Sequence, residues 1–251
     1  ALALSQKDGS AGGDFNVAAA IAAADAAAAA AAAAAKAAAD AAAVKAAADA
    51  AAQAAADAAA AAEKAPQTFT LTTSADNFTG KSGNDIFDGA LSSTGLQTLG
   101  SSDVLNGGAG TDTAYITMSG TATYAPTLSS IEKLVVTSSN TGTLSLANAA
   151  AVTSIEVTGS TATTKFSNIQ SASGVALNVN GSAVGATFGY TDAAVVGDAD
   201  SVTLTVSDLT AGTVTINGIE TINDSGSLVV VVGHRYAVVQ DVLKASLGHF
   251  A

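Results

Sequence analysis

The sequence predicts a mainly β protein, a parallel β-roll running into a β-solenoid, preceded by a long Ala-rich α-helical segment. Three observations carry this prediction. Aspartates recur on one nine-residue register between residues 76 and 112. Short apolar runs separated by Gly, Ser, Asn and Asp fill residues 119–233. Residues 14–66 are nearly all alanine, the strongest helix former.

The register comes first because the rest is organised around it. Asp76, Asp85, Asp103 and Asp112 are separated by 9, 18 and 9 residues, with one tooth missing at Thr94. Two places after each stands Phe78, Phe87, Leu105 or Ala114. Residues 107–115 (GGAGTDTAY) fit the nonapeptide G-G-x-G-x-D-x-U-x, with small Ala114 in the large-apolar slot. Residues 80–88 (GKSGNDIFD) fit it with Lys81 in place of a glycine. The glycine half turns tightly, because glycine takes positive φ without a Cβ clash. The x-U-x half is a short strand with its large side chain inward, and two nonapeptides make one 18-residue coil. Turn carbonyls and carboxylates of stacked coils then present hard oxygens, a donor set suited to Ca²⁺. The competing reading is an ordinary Asp/Gly hairpin turn, which a single match would favour and four in register do not. The candidate ligand set is Asp76, Gly83, Asn84, Asp85, Asp88, Asp103, Asn106, Gly108, Gly110 and Asp112. The fold class is therefore a calcium-binding parallel β-roll/β-solenoid behind a helical segment.

This motif resembles the calcium-binding repeats of RTX proteins, which Gram-negative bacteria export by type I secretion. The longer string over residues 67–116 (QTFTLTTSADNFTGKSGNDIFDG…LGSSDVLNGGAGTDTAYI) is similar to the opening of the β-strand repeat region of alphaproteobacterial surface-layer proteins. The resemblance covers about a fifth of the chain strongly and the following β-rich stretch loosely. Lys81, Ala114 and the insert at 90–100 depart from the pattern and bear on the number of ions. The resemblance implies a secreted protein of the cell surface, a structural role, self-assembly into a homo-oligomer and contact with a cell-surface polysaccharide. It also implies an export address at the C-terminus, with which the lack of an n-h-c signal at Ala1 agrees.

Composition narrows the classes. The 251 residues suffice for one sizeable core or two modest ones. With no cysteine there are no disulfides and no thiolate metal sites. A net charge of −12 with nine basic residues leaves no basic face for nucleic acid. It suits divalent cations and solubility. Charged residues make up only 12% of the chain, low for a globular enzyme. There is no H-E-x-x-H, G-x-S-x-G, P-loop or dinucleotide fingerprint, so no enzyme is expected.

Taken in order, residues 1–13 are a flexible lead. In the helical segment 14–66, Asp14 or Asn16 can serve as N-cap and Pro66 stops the helix. Lys36–Asp40 and Lys45–Asp49 are i,i+4 pairs worth a few tenths of a kcal/mol each. A helix with so few large apolar groups is either a solvated spacer or packs closely against another helix, and a helical hairpin is also open. Its longest uncharged stretch, residues 26–35, is shorter than the ~18–20 residues of a membrane span, so no span is expected.

The β-roll occupies 67–118 and the β-solenoid of short strands 119–233. Strands are expected at 68–73, 114–118, 133–137, 143–146, 154–158, 175–180, 201–206, 212–217, 220–222 and 228–232. The phrase Ile-Glu recurs at Ile131, Ile155 and Ile219, and its first gap of 24 is near one solenoid coil. A β-sandwich has similar strand spacing and is the alternative. Asp198 and Asp200 offer a second D-x-D cation site or a solvated turn. Residues 223–226 are a turn and a weaker candidate of the same kind. Residues 234–251 carry apolar residues on one helical face, as a terminal cap or an export signal. The leading functional expectation is a calcium-ordered structural subunit of the bacterial surface; the alternative is a secreted adhesin or ligand-binding module.

Overall fold

The structure is a computed structural model that describes residues 16–172, 174–196, 200–219, 221–224, 230–233 and 238–241. It divides into two compact units, Ala1–Ala60 and Ala61–Ala251.

Helix α1 (Val17–Lys64) is one unbroken run of 48 residues, so the hairpin alternative is removed. Asn16 is its N-cap: Oδ1 accepts the Ala19 N–H at 3.0 Å, and the Asn16 carbonyl begins the ladder at Ala20. No residue of α1 is buried. Its side-chain support is the exposed pairs Lys36–Asp40 and Lys45–Asp49, with Gln53 donating to Asp57 at 2.8 Å. By length and composition α1 can cross a membrane: an 18-residue window reaches a mean hydropathy of 1.8 with no more than two charges.

The second unit is built from parallel strands. In chain order they are β1 (Thr68–Thr70), β2 (Asn77–Thr79), β3 (Ile86–Gly89), β4 (Val104–Asn106), β5 (Thr113–Met118), β6 (Thr123–Tyr124), β7 (Thr127–Ser129), β8 (Lys133–Ser138) and β9 (Thr143–Ser145). There follow β10 (Ser154–Thr158), β11 (Thr164–Ile169), β12 (Ala176–Asn180), β13 (Ala186–Tyr190), β14 (Ser201–Ser207), β15 (Val214–Asn217), β16 (Thr221–Asp224), β17 (Val230–Gly233) and β18 (Val238–Asp241). They form a nine-stranded sheet β1-β3-β5-β8-β10-β12-β14-β16-β18, a six-stranded sheet β6-β9-β11-β13-β15-β17, and a three-stranded sheet β2-β4-β7.

The chain leaves the large sheet after each strand and returns to it one place further along. Thr68 pairs with Ile86, Ile86 with Thr113, Thr113 with Lys133, Lys133 with Ser154 and Ser154 with Ala176. The first return takes 18 residues, as the nonapeptide arithmetic predicts. The second takes 27, because the insert at 90–100 occupies the missing tooth. That insert is tied in: Thr98 Oγ1 donates to the Ala90 carbonyl at 2.7 Å, Gln97 Oε1 accepts the Ser119 N–H at 2.8 Å, and Leu99 is buried.

Alternation along each strand sends one side chain in two to the core. Phe87, Ala114, Leu134, Ile155, Leu177 and Leu204 are register partners and all buried, as are Ile116, Val136, Val157, Val179 and Val206. Leu144, Phe166, Phe188 and Ile216 are the buried register partners of the six-stranded sheet. Phe166 and Phe188 stack 5.2 Å apart, and Phe69 stacks on Phe78 and Phe87 at 5.2 and 5.1 Å. Each fully buried Val, Leu, Ile, Phe or Met side chain contributes roughly 1.5–3 kcal/mol over exposure.

At one corner the core is polar. Ser138, Ser160 and Thr164 are buried, and Thr164 Oγ1 lies 3.0 Å from Ser138 Oγ and 3.2 Å from Ser160 Oγ. Ser160 Oγ also accepts the Ser138 N–H at 3.0 Å.

Two expectations change. The Ile-Glu phrase is not a register marker: Ile155 pairs with Leu134, while Ile131 is buried ahead of β8. The strands advance by 21 residues there, and the phrase recurs after 24. Residues 238–241, expected in a helix, form β18 and extend the large sheet beside β16. The rest of 234–251 lies outside the described residues.

Candidate metal centre

The four aspartates each stand immediately before a strand, and the register assigns them to alternate sheets. Asp76 and Asp103 precede β2 and β4 of the three-stranded sheet; Asp85 and Asp112 precede β3 and β5 of the large one. All four are buried, Asp112 completely. Acidic side chains are rarely found so buried without partners, so the hydrogen bonds decide what each one does.

Along the large sheet the acids form a ladder. Asp85 Oδ1 accepts the N–H of Gln67 at 2.6 Å, and Asp112 Oδ1 accepts the N–H of Asp85 at 2.6 Å. Glu132 Oε2 accepts the N–H of Asp112 at 2.8 Å. Each carboxylate thus caps the backbone of the strand entry before it, with the short geometry of a charge-assisted bond. Asn84 works in the opposite sense, its Oδ1 accepting the Thr111 N–H of the next turn at 2.8 Å. Along the small sheet, Asp103 Oδ1 accepts the Asp76 N–H at 3.0 Å and its Oδ2 the Gly100 N–H at 2.8 Å. Asp76 takes the Thr72 N–H at 2.7 Å and the Thr72 hydroxyl at 3.0 Å.

The glycines let these turns close. A Cβ at Gly80 would overlap Asp85 Oδ2 and the Gly107 carbonyl, and one at Gly107 would overlap Asp112 Oδ2 and the Ser130 carbonyl. Gly108 and Gly110 have φ of +91° and +129° and pack against the carbonyls of Lys81 and Gly83. Gly83 itself backs onto the Lys64 carbonyl, where Ser82 caps the last turn of α1 by donating its N–H and hydroxyl to the Glu63 carbonyl at 3.0 and 2.9 Å. Lys81, the departure from the glycine pattern, reaches Glu63 Oε1 at 3.3 Å.

Electrostatics single out Asp112. Burial holds its carboxyl above the usual carboxylate range; the Asp85 N–H acts in the opposite direction, and the charges of Glu132 and Asp85 push it further up. Its Oδ2 is buried and has no hydrogen-bond partner. An orphaned buried carboxylate oxygen is rare in a folded protein and points to a group that completes it. Carboxylate and carbonyl oxygens are the chemistry of a hard divalent cation, so the residues fit Ca²⁺. Among the described residues no three His, Cys, Asp or Glu side chains gather into a metal-binding group, so backbone carbonyls would have to supply most ligands.

Of the remaining candidates, Asp88 lies on β3 away from the core and accepts the Ala90 N–H at 3.0 Å, and Asn106 Oδ1 accepts the Gly108 N–H at 3.1 Å. Asp200 is half-buried ahead of β14, and Asp198 lies outside the described residues. Glu132 was missed as a site residue because it falls 20 residues after Asp112, off the nine-residue register. The signal that finds it is the phrase acid–x–apolar, Asp112-Thr-Ala and Glu132-Lys-Leu alike.

An open cleft of about 280 Å³ lies beside Gln97, Asp103 and Tyr124, and one of about 470 Å³ lies on the outer face of the large sheet beside Ile86, Tyr115 and Val135. Neither holds an acid–base pair. No family model, no curated protein and no solved structure matches this chain.

Proposed function

We propose that this chain is a structural, self-assembling subunit of a bacterial cell surface, a surface-layer or filament component whose folded form is ordered by Ca²⁺ after export. In this reading the three parallel sheets are the walls of one β-solenoid, and the glycine–aspartate turns are its calcium-binding roll. The observation that supports it most is the stack of turns at 80–85, 107–112 and 130–132, where buried Asp85 and Asp112 and half-buried Glu132 are linked in a ladder and Asp112 keeps an unpartnered oxygen. In a low-calcium cytosol that oxygen destabilises the folded state. Outside the cell, a cation bound only by the folded form stabilises it by about 2.7 kcal/mol at a hundredfold excess over Kd. Parallel sheets with unpaired outer edges at β1 and β2 then offer backbone groups to a second copy.

The test compares the protein in EDTA and in millimolar calcium by thermal melting, light scattering and electron microscopy. Calcium is expected to raise the melting midpoint and produce ordered assemblies. A fold and particle size indifferent to calcium would end the proposal. A second reading, a secreted adhesin that binds surface polysaccharide, draws on the outer-face cleft, where Tyr115 is 45% exposed and Thr117 pairs with Thr137 in register. Protein that stays monomeric in calcium yet binds polysaccharide would select it.

A further inference from the structure

The turns 80–85 and 107–112 share their glycine backing and their Oδ1 caps and part at the second aspartate oxygen. In both, a glycine (Gly80, Gly107) is backed by the aspartate five residues on and by a carbonyl from the next turn (Gly107, Ser130). In both, the aspartate Oδ1 caps an N–H from the preceding strand entry. In the first turn, Asp85 Oδ2 is also satisfied, by the Lys81 N–H four residues upstream at 2.8 Å. The equivalent donor in the second turn is Gly108, and its N–H goes to Asn106 Oδ1 instead. The first turn has Thr79 at that place, without an amide oxygen to reach two residues on. Of the eight carboxylate oxygens of Asp76, Asp85, Asp103 and Asp112, seven accept a protein hydrogen bond and one, Asp112 Oδ2, does not.

Opposite that oxygen stands a second anomaly. Ser130 has φ of +49°, a left-handed state that costs a residue with a Cβ, and its carbonyl closes on Gly107 together with Asp112 Oδ2. A strained backbone and a withheld hydrogen bond meet at one place, and both turn oxygen toward it.

We propose that Asp112 Oδ2 and the Ser130 carbonyl hold a divalent cation, that Asn106 makes the place by drawing off the Gly108 N–H, and that Asp76, Asp85 and Asp103 are backbone caps rather than ligands. This rests on the calcium reading above and narrows it: an evenly repeated aspartate register carries an uneven distribution of tasks. Asn106 is a positioning residue. Without its amide oxygen, Gly108 turns its N–H to Asp112 as Lys81 does to Asp85, and the oxygen is no longer open.

The experiment is calorimetric titration of CaCl₂ into the full chain, stripped with EDTA, for the wild type and the variants Asp112→Asn, Asn106→Thr and Asp85→Asn, with melting of each in EDTA. Asp112→Asn and Asn106→Thr are expected to lose one bound ion or to weaken its affinity by about tenfold or more. Asn106→Thr is expected to melt in EDTA no lower than wild type, which a merely damaged fold would not do, and it decides the matter if Asp112→Asn fails to fold. Asp85→Asn is expected to keep calcium affinity within about threefold, since it removes caps and no ligand. Wild-type affinity and stoichiometry in Asn106→Thr, or in a folded Asp112→Asn, would overturn this assignment alone. A wild type that binds no calcium would overturn both it and the reading it rests on.

Discussion

The backbone N–H of Asp85 donates to Asp112 Oδ1 at 2.6 Å, across 27 residues of chain. Asp85 in turn uses its own carboxylate on Gln67 and Lys81. The same residue is therefore donor to the turn after it and acceptor from the strand entry before it. Asp85→Asn leaves one acceptor oxygen where two were used, so either Gln67 or Lys81 faces an amide NH₂. A loss of about 1–3 kcal/mol is expected, read by urea unfolding, and of equal size in EDTA and in calcium.

Gly185 and Gly159 separate steric closure from backbone freedom. A Cβ at Gly185 would overlap the backbone of Thr213, whereas at Gly159 nothing lies nearer than Thr137 Cγ2 at 4.0 Å and only the φ of +59° asks for glycine. Gly159→Ala is expected to cost about 1–2 kcal/mol, the left-handed penalty alone. Gly185→Ala is expected to cost about 3 kcal/mol or more, because backbone must move. Denaturant midpoints of the two variants check the order.

Tyr190 is expected to give an alkaline signature. Its hydroxyl is buried with no partner, and burial holds its ionisation above the ordinary value of 10.0. A group that is harder to ionise when folded contributes stability below its unfolded pKa and loses it as pH rises through that value. The wild type should therefore lose stability above about pH 10 by more than Tyr190→Phe does. Below that pH the Phe variant should be more stable by about 1 kcal/mol, since it removes an unsatisfied hydroxyl. Melting both proteins from pH 8 to 11 reads the two effects together.

Ser160 links the end of β8 in the large sheet to the start of β11 in the six-stranded one, its Oγ accepting the Ser138 N–H and meeting Thr164 Oγ1. Ser160→Ala leaves a buried N–H without its acceptor and should cost about 1–3 kcal/mol. Ser160→Thr tests space as well as chemistry. The residue is fully buried, so the added methyl is expected to cost about as much, by overpacking. Unfolding free energies of both variants measure this.

Much of the β unit was legible because its determinants are local. Asp85 and Asp112 announce the strands that follow them through a nearby apolar residue, Phe87 and Ala114, and the two sheets follow from the half-turn of nine residues. Alternation gave β8, β10 and β12 directly. What stayed hidden has physical causes. β11 lost its alternation to a bulge at Asn168, whose φ is +56° and which shifts the register between Phe166 and Ile169. β13 carries Gly189 where an alternating side chain would have marked it. Within the site, Gly108 and Asn106 were both legible as turn residues. That one withholds its N–H because of the other was not, since a hydrogen bond between residues two apart has no sequence period. Glu132 was hidden by the change of spacing after Asp112.

Helix α1 buries none of its 48 residues and is held by its own backbone ladder, an asparagine at one end and Ser82 at the other. Such a helix loses structure gradually on warming, from the N-terminal end inward, while the packed sheets melt as one body. Ellipticity at 222 nm will then report the helix and ellipticity at 215 nm will mix the two. A single two-state fit to either signal would average a sloping process with a sharp one and understate the cooperativity of the sheets.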